Sequence, residues 1–410
     1  MLPGMGLRWG QVLALAIGLA PVVLAALTWS PGVPEPWTIP ARHYALPVLV
    51  MEAVTILAGL ATGLVETIRS IRMPRPAAIA AAILAVVMLG TVPFAPVPHV
   101  AATYTAIWVI HTFFALSVVH LAGQFFTPSD LVRGYAIGFV LFCGIFFLLL
   151  AQVRDPAFHW NHYLPAFNQI RIVGHYAAPV AALAAGLMAL SRTPARWAAA
   201  FALATLAFAL AFWTGSRGAL VGAAAGLFAG LLFAPAMRRT RAWGGFAASL
   251  ALAWIAVSNF PAPGPNMGAE RVVSSTVRST NVTTGRTTLW PHVANAVAER
   301  PVFGHGEGQM PYVAKFYTAF HPHNVILQIL LAWGFVGLFC VLTLAFYFLR
   351  DSIRLVRSGA NELLPPFVAM AALAAPSLID GSLFHLLPVS IFAACAGMIG
   401  SRMLAPTHEA

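Results

Sequence analysis

Two residue types carry the chemistry open to this sequence. Of its 23 basic residues, 22 are arginine and one, Lys315, is lysine. A guanidinium grips phosphate or carboxylate with two parallel donors and keeps its proton, whereas an ammonium acts as a point charge. Anionic ligands are the natural partners of that bias. Three segments then combine arginine or histidine with a helix start. In Thr214-Gly215-Ser216-Arg217-Gly218, Ser216 or Thr214 can cap the following helix, whose free amides form an anion site with Arg217. The alternative is an arginine snorkelling to lipid headgroups. Gly285-Arg286, four residues before Trp290, puts a second arginine at the head of a short helix, with a solvated loop charge as the alternative. His321-Pro322-His323-Asn324 heads a long apolar run. There the helix dipole disfavours imidazolium, so His323 suits a general base.

Other candidates are weaker. His321, His305, His292, His162 and His175 are further histidines for the same role. Gly304-His305-Gly306-Glu307-Gly308 has the glycines of a phosphate loop, but no strand precedes it, so a tight turn is expected. No carboxylate pair with glycosidase logic and no DxD or HExxH signature occurs outside. Asp155, Glu270, Glu299, Glu307 and Asp380 stand singly. The reaction is therefore expected to run without a metal or other cofactor, arginines handling the negative charge. Cys143, Cys340 and Cys395 lie in apolar runs without ligand spacing and read as buried free thiols.

The elements that must position these residues follow from composition. Across 410 residues, 60% are apolar and 9% charged, and mean hydropathy is +0.82. Soluble proteins carry about 25% charged residues, so this chain is an integral membrane protein. A membrane-crossing helix needs about 20 mostly apolar residues. Twelve runs approach that, at 10–28, 44–67, 77–93, 100–121, 131–151, 174–190, 197–213, 216–233, 243–258, 324–348, 366–379 and 384–404. The fold class expected is an all-α polytopic bundle. Its first run is read as a membrane helix rather than a cleaved leader. Gly218, Gly222, Gly226 and Gly230 predict close helix packing in the eighth run.

Arginines orient the bundle. Fourteen, among them Arg69, Arg133, Arg350 and Arg402, fall on one side, which the positive-inside rule makes cytoplasmic together with both termini. The other eight, Arg42, Arg154, Arg171, Arg217, Arg271, Arg278, Arg286 and Arg300, face outward. The organisation expected is helices one to nine over 1–258, an external loop over 259–323 and helices ten to twelve over 324–410. The loop is where function is expected, because a bundle does not need one so long. Within it, Thr287 and Thr288 offer caps to an amphipathic helix ending near Glu299, and a second short helix is expected from about 309 to 319.

With those residues in place, His323-Asn324, nine residues, Gly334, two residues, Gly337 is similar to the H[NSQ]-x9-G-x2-[GTY] pattern of bacterial O-antigen ligases. Ser216-Arg217-Gly218, Gly285-Arg286 with Trp290, and Arg300-Pro301-Val302-Phe303-Gly304 before His305-Gly306 resemble the rest of that signature over roughly 205–340. The resemblance implies a GT-C-type glycosyltransferase of the Gram-negative inner membrane, with its active site facing the periplasm. The donor implied is O-antigen on undecaprenyl diphosphate, and the acceptor a sugar hydroxyl of lipid A–core. Membrane lipids surround the protein, and nucleic acid is not a partner. His323 would be the general base, while Arg217 and Arg286 would bind the diphosphate. Arg171 and His175 would line the donor groove. Asp380 would orient His323 or grip the acceptor, and Ser216 and Asn324 would contact substrate.

Three other functions compete. O-antigen polymerases carry periplasmic R-x10-G motifs, yet the eleventh residue after Arg154, Arg171, Arg271, Arg278, Arg286 or Arg300 is never glycine. Protein O-oligosaccharyltransferases usually add a larger C-terminal periplasmic domain. A transporter for a lipid-linked anion would bury charges mid-membrane. Here those are few, Glu52 foremost, and polar residues gather at one external face.

Overall fold

The structure, a computed structural model, describes residues 5–28, 41–154, 158, 160, 164–167, 169–238, 240–260, 262–264, 267–277, 285–316 and 320–404. Asp155, His162 and Arg278 lie outside the described residues, as does the side chain of Arg42. The described residues form sixteen α-helices and no strand. In chain order they are α1 Met5–Thr28, α2 Ala41–Thr62, α3 Leu64–Ser70, α4 Arg75–Gly90, α5 Pro98–Leu121, α6 Pro128–Leu150, α7 Ile170–Leu190 and α8 Pro194–Thr214. Then come α9 Arg217–Phe233, α10 Thr240–Asn259, α11 Gly268–Val277, α12 Arg286–Glu299, α13 Met310–Val313, α14 Val325–Arg357, α15 Leu364–Ser377 and α16 Leu386–Leu404. An all-α polytopic membrane protein is what these elements make, because lipid leaves each backbone amide only its own helix for a partner.

Every apolar run predicted is helical, but twelve complete crossings are not established. Eight helices among the described residues have the length and apolarity of a span, and α2 with α3 adds a ninth if their 79° bend is one broken crossing. Helices α4 and α9 are apolar but shorter. With 14 residues, α15 reaches only about 21 Å at 1.5 Å per residue, short of the ~30 Å hydrocarbon core.

The interior is built around α7, 94% of whose span is buried. On one side α9 and α15 press together along the predicted glycine stripe. A Cβ on Gly222 would stand 2.3 Å from Ala372 O, and one on Gly226 2.5 Å from Val368 O. Glu52, fully buried on α2, pairs with His111 Nδ1 of α5 at 2.8 Å. The three cysteines are free and buried.

In the long loop after α10, α12 runs as expected, but its start differs. Gly285, in the left-handed region at φ +83°, is the residue before a helix that begins at Arg286, so neither threonine is its cap. The second loop helix is a single turn, α13, since Lys315 turns left-handed at φ +51°. Helix α11 was not anticipated, its polar composition giving no apolar run.

Long α14 is two helices joined at Gly334, which leaves helical geometry (φ 62°, ψ −164°). The break exchanges backbone hydrogen bonds with the segment after α12. His305 and Gly306 amides donate to Leu331 and Ala332 carbonyls at 2.8 and 2.9 Å, and Phe335 and Val336 amides donate to Pro301 and Val302 carbonyls at 2.8 and 3.2 Å. Backbone that would be orphaned by the kink is thereby satisfied. A Cβ on Gly334 would lie 2.2 Å from Val302 O, which accounts for glycine at that point of the motif. The glycine-rich 304–308 segment is thus a structural turn, as expected.

Candidate active site

The heads of α7, α9, α12 and α14 meet the connection between α15 and α16 at one end of the bundle. Asp380, in that connection, is the point of convergence. Its Oδ1 lies 3.0 Å from Arg286 Nη2, at the first position of α12, and 3.5 Å from His323 Nδ1, just before α14. Its Oδ2 lies 3.8 Å from His175 Nε2 of α7. The Gly381 amide donates to Oδ1 at 2.8 Å. Room for the carboxylate comes from the N-terminal end of the glycine stripe: a Cβ on Gly218 would come within 2.7 Å of Asp380 Oδ2.

Each neighbour is held locally. His323 is left-handed, φ +54°, a conformation uncommon outside glycine and one that a packed surrounding must impose. Trp290 of α12 donates its indole hydrogen to Pro322 O at 3.0 Å. Asn324 caps α14 by accepting from the Leu327 amide at 3.0 Å, and its Nδ2 donates to Leu378 O at 2.9 Å. The histidine is therefore clamped to α12 on one flank and to the approach to Asp380 on the other. Ser216 caps α9, accepting from the Ala219 amide at 3.4 Å, which sets Arg217 at the helix start. Thr214 accepts from the Ser216 amide at 3.3 Å and donates to Ala211 O, tightening the same turn.

Charge in the cluster is uneven. Arg171 interacts electrostatically with Asp380, Arg286 and Arg217. Arg271 of α11 joins them and donates to Gly215 O at 2.5 Å. Burial first, then the charges of Arg171 and Arg217, push Arg271 down to about 10. Burial would raise the Asp380 carboxyl, but His323, His175, Arg286 and the Gly381 amide outweigh it and hold it below the usual carboxylate range. Four guanidiniums thus gather about one shared carboxylate, and a further anion would be welcome there.

Two more histidines close the site. The His321 ring centroid is 4.2 Å from that of His323 and 5.4 Å from that of His385. Burial, followed by the neighbouring histidines, holds His321 well below the ordinary histidine value and His385 down to about 3. Among the described residues no group of three or more His, Cys, Asp or Glu side chains is arranged to hold a metal ion.

Of the residues read from sequence, His323, Arg286, His175 and Asp380 are in direct contact range, and Arg171 and Arg217 belong to the same electrostatic cluster. Two histidines are elsewhere. His305 is buried, with Nε2 on Ala296 O at 2.8 Å, and His292 packs on Phe316. From sequence, Arg271 is one charge among several in the long loop. Its polar helix gives no apolar periodicity, and only its place after the long ninth run hinted at it.

Fold and site together define a polytopic all-α membrane protein with arginines, histidines and one carboxylate converging at one end of its bundle. Residues 199–342 match the model of the O-antigen ligase family, the same family that the sequence motifs resemble. A candidate polysaccharide ligase of Rickettsia conorii is 33% identical over 76 residues, 15% of this chain. The chain matches only 18% of that relative's length. Arg171, His175 and Asp380 lie outside the family-matched stretch, and the fold brings them to it.

Proposed function

We propose that the protein transfers O-antigen polysaccharide from undecaprenyl diphosphate to a sugar hydroxyl of lipid A–core, at the periplasmic face of a Gram-negative inner membrane. The observation that carries this reading is the meeting of His323 and Arg286 on Asp380. With Nδ1 turned to the carboxylate, the other imidazole nitrogen is the one available to a substrate, the arrangement that fixes the tautomer of a general base. The 3.5 Å separation is long for a hydrogen bond, and catalytic contacts commonly tighten when substrate binds.

In the reaction His323 takes the proton of the acceptor hydroxyl as its oxygen bonds to the anomeric carbon. The bond from that carbon to the diphosphate oxygen breaks, and its electron pair leaves with undecaprenyl diphosphate. Attack opposite the leaving group inverts the anomeric centre. Arg217 and Arg286 hold the departing diphosphate and stabilise its growing charge, with Arg171 beside them. A diphosphate is already a good leaving group, so no general acid is required.

The test is transfer in vitro with purified protein, an undecaprenyl-diphosphate glycan and lipid A–core. His323→Ala is expected to lower transfer by about 100-fold or more while donor binding is retained; wild-type product from that variant would remove the base. Arg217→Lys is expected to be severely impaired, since lysine lacks the fork. Transfer is expected to survive EDTA, and its complete loss with chelator would argue for a different mechanism.

A further inference from the structure

The arginine side of the cluster accounts for an anion, but not for the void on its other side. A cavity of about 190 Å³ opens beside His321 and His385 and extends between α5 and the head of α14. None of the cluster's arginines lines it, and no other arginine or lysine does among the described residues. Besides aliphatic side chains such as Leu24, Ile172 and Leu387 and the histidines His111, His321 and His385, two kinds of wall matter. Tyr104, Trp108 and Phe384 present aromatic surface. Glu307 and Gln328 are polar and more than nine-tenths buried, at 5% and 7% exposure. Gln328 Nε2 donates to Glu307 Oε1 at 2.6 Å, which leaves Gln328 Oε1 with no partner. A buried acceptor in that condition is costly.

These walls select among ligands. A phosphate would meet a buried carboxylate and no arginine or lysine. A polyprenyl chain would cover the polar pair without satisfying it. A ring with apolar faces and a rim of hydroxyls suits both kinds of wall, stacking on the aromatics and bonding to the polar pair. The volume is below the ~300 Å³ at which sites for larger ligands begin, so one ring fits and an oligosaccharide does not. We propose that the cavity takes one uncharged monosaccharide ring of the acceptor, held by Glu307 and Gln328 against Tyr104 and Trp108, with its attacking hydroxyl turned to His323. This rests on the transferase reading above. The donor's first sugar is tied to the diphosphate on the arginine side, so the ring across the base belongs to the acceptor. Burial pushes Glu307 up to about 7 despite bonds from Gln328, Trp108 and the Gly308 amide, so near neutrality it can donate to a hydroxyl as well as accept from one.

Steady-state transfer by the full-length protein tests it, with lipid A–core from cells lacking O-antigen as acceptor and an undecaprenyl-diphosphate glycan as donor. Gln328→Leu and Trp108→Phe are each expected to raise the acceptor KM about tenfold, as loss of one buried hydrogen bond does, with the donor KM within about twofold of wild type. Thermal unfolding of each variant checks that it is folded, and Tyr104→Leu, which removes a stacking ring at a residue 43% exposed, is the substitute for one that is not. An unmoved acceptor KM in folded variants overturns the subsite. A rise in donor KM alone overturns it as well, by giving the ring to the donor. Wild-type protein that transfers nothing to core removes the transferase reading itself, a separate result.

Discussion

Asp380 Oδ1 lies 3.0 Å from Arg286 and 3.5 Å from His323, so replacing it by asparagine withdraws one charge from both while nearly keeping its shape. Asp380→Asn is expected to lower transfer by about 100-fold or more, as loss of a histidine-orienting carboxylate does. Donor affinity, which the proposed mechanism assigns to the arginines, should change far less. Equal losses in turnover and in donor affinity would show that the carboxylate organises the arginines instead. At this scale the sequence was informative wherever a reactive residue sat at a helix start, because capping residues mark that position. Arg217 behind Ser216 and His323 ahead of Asn324 were legible for that reason. The convergence on Asp380 was not, since contacts of residues separated by 57 positions (His323 to Asp380) or more leave no spacing to read.

Among the elements, α14 carries the sharpest demand. Gly334 has φ +62°, and any Cβ there would meet Val302 O at 2.2 Å. Gly334→Ala is expected to cost at least ~1–3 kcal/mol from the backbone conformation alone, with the clash added, and to unseat the 301–306 segment. Thermal unfolding in detergent measures the first effect, and limited proteolysis near Arg300 the second. A variant as stable as wild type, with the same cleavage pattern, would mean that the helix simply straightens. Hydropathy made the helix legible but not its break, because broken and continuous apolar helices have the same average. Likewise the apolar runs gave the bundle its helices, yet α15 is too short for its run to be counted as a complete crossing.

Across the whole molecule, burial of uncharged histidines sets a response to acid. His321 and His385 are both held below the ordinary histidine value, His385 at about 3. Unfolded, each takes up a proton near pH 6.5; folded, each resists it. The stability this provides is complete above about pH 6.5 and declines as pH falls below it. Asp380, held below the usual carboxylate range, adds stability that is present above about pH 4 and lost in stronger acid. The unfolding temperature is therefore expected to fall from about pH 6.5 downward, and His385→Gln to flatten the upper part of that fall. An identical slope in the variant would mean that His385 titrates freely in the folded protein.

Exposure within the cluster runs from 2% at His175 through 13% at Asp380 and 18% at Arg286 to 31% at His323. That ordering gives the site a direction of travel. Its rear wall is α7, packed on nearly every side, and cannot yield without disturbing the core. Its front is made by the short α12 and the turn into α14, where Leu289, Val293, Ala296 and Val297 pack in a small cluster of their own with Met310, Ala314 and Leu331, and so small a cluster is expected to open before the main core. If the proposed function holds, substrate is expected to reach the site past His323, its most exposed member. Amides of α12 are accordingly expected to exchange with solvent deuterium well before those of α7.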